Sequence, residues 1–266
     1  AVGIYMTGPW VGGLVAYATA NSIVMPLTGY SWRLTFVVYS LLVFVVALLW
    51  WFLARDVKST GAIERTSIVN VFTGLIRIRN IRLILIMGLL SMSVGHGFND
   101  WLPKLLETGG LPPAVAGFAA SIPLVTGIPA VLIVPRLVPP RLRGRITALG
   151  YLALAIAIWI VATTSGAALI AGLAFYGVAH VAVMPLLVLI LMDMPEVGAK
   201  YMGAAAGMYF CIGEIGGFGG PFIMGAVRDL TGGFLAGVGL LSGLAVAVCI
   251  MALLLKIKPA SDIRTP

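Results

Sequence analysis

At 266 residues, 61% hydrophobic and 10% charged, with a mean hydropathy of +1.09, the chain is too apolar for a soluble domain, whose charged share is about a quarter. It reads as an all-α polytopic membrane protein. The formal net charge of +8 would suggest nucleic acid in a soluble chain. Here the basic residues fall on loops of one side, where topology and lipid headgroups account for them and no nucleic acid is called for. Cys211 and Cys249 lie inside apolar runs, as small core residues do, rather than as a disulfide or metal pair.

Apolar runs of about twenty residues predict eight spans, near 3–25, 33–54, 83–106, 114–135, 146–164, 167–193, 201–228 and 234–255. The connections after the odd-numbered spans are short and turn-like, such as Pro26-Leu27-Thr28-Gly29-Tyr30 and Gly109-Gly110-Leu111-Pro112-Pro113. The other connections carry the charge. Fourteen of the seventeen Lys and Arg residues lie on them or on the tail, and Arg33, Lys104 and Arg228 lie on the opposite side. That bias predicts a plasma-membrane protein with both termini of this chain cytoplasmic. Within the longest loop, Ile68, Val71, Phe72, Leu75 and Ile76 recur at helical spacing, which predicts an amphipathic helix on the membrane surface.

Span seven, between Lys200 and Arg228, holds one carboxylate, Glu214, at its middle. An acid at the bilayer midplane is costly and marks a site or an interhelical contact, and burial there would favour its protonated, proton-carrying form. The pairs Gly203/Gly207, Gly213/Gly217 and Gly216/Gly220 let another helix come close, and Gly220-Pro221 invites a kink. Placed by their flanking charges, His96 of span three and His180 of span six lie at a similar depth. Ser93, His96, Asn99 and Asp100 share one face of span three. The alternative for Asp100 is a solvated charge paired with Lys104 one turn on, and for His180 a core histidine on a backbone carbonyl. Tyr176 sits one turn from His180. Asp193 and Glu196, at a helix end near Lys200, read as solvated interface charges, and Trp10, Trp32, Trp50, Trp51 and Trp101 as an interfacial belt. No metal site, cofactor motif or enzyme motif is found in the sequence.

Gly8-Pro9-Trp10-Val11-Gly12-Gly13 resembles the GPxxGG core found in helix five of many major facilitator superfamily carriers. Ser31-Trp32-Arg33 with Phe36 is similar to that family's helix-six opening, Arg79-Asn80-Ile81-Arg82 to its entry to helix seven, and Gly219-Gly220-Pro221 through Arg228-Asp229-Leu230-Thr231-Gly232 to its end of helix eleven. The loop from Pro135 to Arg145 departs from the family's second basic loop motif, with Pro135 and Pro139 where glycine and aspartate are usual. Trp101-Leu102-Pro103, Gly109-Gly110 and Ala116-Gly117 look most like the cyanate permease-like branch, and the nitrate carriers' Gly/Asn-rich signature is absent from spans one and seven.

The resemblance implies a major facilitator-type bundle with eight transmembrane helices, equivalent to helices five to twelve of a twelve-helix carrier. It divides the chain into residues 1–54, the last two helices of a first bundle whose other four helices are missing; 55–82, a cytoplasmic linker; 83–258, a six-helix second bundle; and 259–266, a tail. The expected function is secondary transport of a small, anionic solute with proton coupling. Glu214, His96, His180, Asn99, Asp100, Tyr176 and Tyr209 are the expected solute and proton contacts. Gly8, Pro9, Gly12, Gly13, Gly216, Gly217, Gly220 and Pro221 are the expected packing and gating positions. Two readings stay open beside it: a drug-type proton antiporter, and a non-transporting receptor or structural fragment.

Overall fold

A computed structural model describes residues 8, 11–16, 19–54 and 68–255. Helix α1 (11–16) leads through a π-helical turn, Ala20–Val24, into α2, Met25–Leu27. The order continues with α3 (Trp32–Leu53), α4 (Ile68–Arg77), α5 (Arg79–Asn99), α6 (Leu102–Thr108), α7 (Pro113–Ala119) and α8 (Ile122–Leu137). A 3-10 turn, Pro140–Leu142, precedes α9 (Arg143–Thr163), α10 (Gly166–Met192), α11 (Gly198–Thr231) and α12 (Leu235–Leu254). Among the described residues seven helical stretches are long and apolar enough to cross a membrane. Much of the first expected span, with Pro9 and Trp10, lies outside the described residues.

Two expected spans are broken, each by a proline in the first turn of the following helix. The stretch 83–106 divides between Asn99 and Leu102, with Pro103 opening α6, and 114–135 divides between Ala119 and Ile122, with Pro123 opening α8. Proline lacks the N–H that would continue the ladder and is well suited to a helix's first turn. Pro129, Pro135, Pro185 and Pro221 are instead carried inside helices. Helix α11 runs unbroken past Pro221 and stops at Gly232, whose left-handed φ of 74° needs a glycine.

The principal seam joins α5 and α11, which run parallel. In a bilayer, lipid tails are as apolar as the side chains, so helices associate through close packing rather than water expulsion. A methyl group added at Gly216 would land on the Leu89 carbonyl oxygen, one at Gly220 on that of Ser93, and one at Gly213 on the Met92 thioether. On the α5 side, Gly88 accommodates the Tyr209 ring and Gly95 the His180 ring. Gly203 and Gly207, by contrast, meet nothing within 4 Å among the described residues. Helices α8 and α10 interlock similarly, Gly127 against Val181 and Gly177 against Pro123 and Thr126, while α12 packs on α9 and Ser242 donates to the Ala155 carbonyl at 3.3 Å.

Helix α3 has no buried residue, and Phe36, Phe44, Trp50 and Trp51 are all exposed. Helix α4 sits at the start of α5 and α11, with Leu75 buried and Phe72 and Ile76 exposed. Two expectations, for Cys211 and Asp193, are corrected. Cys211 is exposed on α11 rather than a core residue, because it lies on the face turned away from α5. Trp101, expected in an interfacial belt, also braces two helices: its Nε1–H donates to the Pro221 carbonyl at 2.9 Å. Asp193 is not a free interface charge: Arg143, from the start of α9, bridges to it at the end of α10 and also donates to the Leu189 carbonyl.

Candidate functional site

The close α5/α11 seam sets the position of the mid-membrane polar groups. Glu214 and His96 flank the same glycine: a Cβ placed at Gly217 would sit 2.8 Å from the Glu214 Oε2 and 3.5 Å from the His96 Nε2. Both side chains are exposed, so they face the open side of the seam. Glu214 has no hydrogen bond or ion pair among the described residues. The carboxylate and the imidazole thus lie near one glycine on an exposed face, two side chains of the types able to bind a proton.

A second group lies on α10. His180 is buried, stacks on Tyr176 with centroids 5.4 Å apart and planes at 10°, and Tyr176 in turn contacts Phe98 at 4.8 Å. The Asn99 amide Nδ2 lies 3.4 Å from the His180 Nδ1. The four residues expected on one face of α5 therefore serve different neighbours. Ser93 is buried against α11 and donates to the Leu89 carbonyl at 2.9 Å, His96 stands beside Glu214, Asn99 turns to α10, and Asp100 is exposed just past the helix end. Partial burial pushes the Asp100 carboxyl above its usual range, while His96, one turn back, acts in the opposite sense. Lys104 does not pair with Asp100: its Nζ donates to the Glu107 Oε2 at 2.7 Å, an (i, i+3) contact within α6.

Tyr209 stands apart. It is fully buried against Gly88, one and a half turns below Glu214 on the face turned into the protein, and its hydroxyl has no hydrogen-bond partner among the described residues. A nearby hydroxyl pair, Ser91 with Tyr151, joins α5 to α9. Sequence reading passed over both this pair and the Arg143–Asp193 bridge. Ser91 and Tyr151 are uncharged and lie on different spans, so their pairing depends on which helices touch. Of the expected packing positions, Gly216, Gly217 and Gly220 are in close contact, Gly12 meets nothing within 4 Å, and Gly13 reaches Leu124 at 4.0 Å.

The match that decides the family is to the model described as Major Facilitator Superfamily, over residues 1–221. The chain belongs to the major facilitator superfamily. A quinolone resistance transporter of Acinetobacter baumannii is 30% identical over 201 residues, 72% of this chain and 44% of that protein. A candidate tartrate transporter of Agrobacterium vitis is 28% identical over 220 residues, 76% of this chain and 45% of that one. The chain thus spans less than half the length of these two relatives. In fold it is similar to the E. coli fucose:proton symporter FucP, with a TM-score of 0.68 at 15% identity over 95% of this chain and 67% of that one. A second FucP structure, in the outward conformation, matches equally. This is a multi-pass, all-helical member of a transporter family rather than an enzyme.

Proposed function

We propose that the chain forms part of a secondary carrier that moves a small, anionic solute across the cytoplasmic membrane by alternating access, coupled to protons through Glu214. The observation that carries this reading is the Glu214–His96 pair across Gly217, an acid and an imidazole on the open side of two close-packed helices. Glu214 is read as the proton-linked acid, His96 as its electrostatic neighbour and a solute contact, and Asn99, His180 and Tyr176 as a supporting group on the α10 side. Asp100, just past the end of α5, is read as a further polar contact. The basic bias of the loops supports a cytoplasmic placement of those loops and of both termini of this chain. The exposed α3 supports the division into residues 1–54 with a first bundle and 83–258 with a second.

A drug-type antiporter is the second reading, and two observations favour it. Phe218 and Phe222 stack on the exposed side of α11 with centroids 6.4 Å apart, one and two turns beyond Glu214, offering an aromatic wall to a lipophilic cation; and one relative is named for quinolone resistance. The test is solute-driven proton movement in proteoliposomes, with a panel of small carboxylates and lipophilic cations and with Glu214 intact or changed to Gln. Proton flux with carboxylates that disappears in Glu214→Gln supports the proposal. A response confined to lipophilic cations supports the antiporter. Carboxylate-driven flux with unchanged pH dependence in Glu214→Gln removes Glu214 from the mechanism.

A further inference from the structure

At the end of the bundle opposite the basic loops, a cavity of about 380 Å³ opens between the α6–α7, α9–α10 and α11–α12 connections. It is far from Glu214: Arg228, in its wall, is fourteen residues further along α11, about 20 Å at a helical rise of 1.5 Å per residue. Its size falls within the range of small-ligand sites. Its wall includes Thr108, Ser165, Gly166, Arg228, Gly233 and Phe234. We propose that this cavity binds a small anion bearing a carboxylate or phosphate, held by the Arg228 guanidinium.

The guanidinium is positioned by its faces. Its carbon lies 5.1 Å from the Phe234 ring centroid and 5.7 Å from that of Trp101, and the indole is fixed by its bond to the Pro221 carbonyl. Ring contacts occupy the flat face of an arginine and leave its N–H edge for a planar, bidentate acceptor. The ion pair with Asp229 does little to use that edge, because it is 3.7 Å long and the Asp229 side chain is 79% exposed. Neither Asp229 nor Glu107 lines the cavity, and Glu107 is already paired with Lys104.

Helix ends of both signs meet at the cavity. Gly166 and Leu235, the first residues of α10 and α12, both line the cavity, and neither helix has a side-chain cap. Their first N–H groups are therefore available to an acceptor. Helices α6, α9 and α11 end at the same level, where their carbonyls would repel an anion. Two of those carbonyls are engaged: Thr164 Oγ1 donates to Ile160 O at 2.7 Å, and Gly232 N–H to Arg228 O at 2.8 Å. The full positive charge in the cavity wall is that of Arg228.

A carboxylate solute and an anionic lipid headgroup share this chemistry, and two arms separate them. In the first, succinate and inorganic phosphate are titrated calorimetrically into the purified full chain in phosphatidylcholine nanodiscs. The Arg228→Gln and Gly233→Leu variants should each weaken binding about tenfold or more. Gly233→Leu adds a side chain at the cavity wall, where an added Cβ meets nothing within 4 Å, so it remains informative if Arg228→Gln fails to fold. In the second arm the nanodiscs contain phosphatidylglycerol. If the lipid is the natural occupant, succinate and phosphate bind more weakly there than in phosphatidylcholine, and Arg228→Gln abolishes the difference; equal affinities in both lipids indicate a free solute. The proposal is overturned if both variants bind like the parent, if binding is lost with Glu214→Gln and not with Arg228→Gln, or if no anion binds and phosphatidylglycerol has no effect.

Discussion

Replacing Gly216 and Gly220 by alanine tests whether the α5/α11 seam is held by backbone proximity. At Gly220 the new methyl would overlap the Ser93 carbonyl oxygen and lie 2.9 Å from both the carbonyl carbon and Cα; at Gly216 it would overlap the Leu89 oxygen and lie 2.7 Å from Ser93 Oγ. Carbon–carbon contacts are optimal at about 3.5–4.0 Å, so the helices must separate by about 1 Å, and a gap of that size forfeits about a quarter to a half of each dispersion contact along the seam. Overpacking of this kind costs about 1–3 kcal/mol, partly offset by alanine's helix propensity of up to about 1 kcal/mol over glycine. The expected net loss is about 1–2 kcal/mol per site. The double variant should lose less than the sum, because helices already parted accept the second methyl more easily. Gly243 on α12 is the control: it is exposed and an added Cβ meets nothing within 4 Å, so Gly243→Ala should gain about 0.5–1 kcal/mol. Unfolding by denaturant in mixed micelles, followed by circular dichroism, measures all four variants. If Gly220→Ala is as stable as Gly243→Ala, close backbone approach is not what holds the seam.

Two other contacts give sharp expectations. Arg143 and Asp193 retain side-chain exposures of 13% and 25%, so Arg143→Met should cost about 1–3 kcal/mol, less than a fully buried pair. Adding Asp193→Asn should recover part of that loss, because the stranded carboxylate is removed; a double variant no more stable than the single one would show that the pair itself matters little. Tyr209→Phe deletes a buried hydroxyl that has no hydrogen-bond partner among the described residues and should leave both stability and transport unchanged. Tyr151→Phe strips Ser91 of its partner and should cost about 1 kcal/mol. Equal losses in the two tyrosine variants, read in the same unfolding assay, would contradict this assignment.

Much of the candidate site was legible as depth and little of it as direction. Flanking charges locate Glu214, His96 and His180 along their helices, since a helix crossing a bilayer has its length fixed and its polar ends marked. Which of them meet depends on the rotation of each helix about its axis. The expected common face of Ser93, His96, Asn99 and Asp100 illustrates the point. Their spacing is right, yet the wide stripe meets α11 at Ser93 and His96, α10 at Asn99, and neither at Asp100. Tyr209 was expected among the solute contacts because of its span; it is buried because Gly88 on α5 leaves room for its ring.

The sequence by itself determined the class of protein, the placing of most membrane-spanning helices, and the positions of the mid-membrane acid and imidazoles, because each follows from local cost: apolar length, the price of a buried charge, and proline's missing N–H. Tertiary structure alone decided that α5 and α11 are in contact, that Glu214 and His96 share Gly217, that Arg143 reaches Asp193, and that three distant connections enclose a cavity around Arg228. Those are pairings between residues fifty or more positions apart, or convergences of separate loops. They depend on how whole helices seat against one another, a choice made by the sum of many weak contacts and carried by no single stretch of chain.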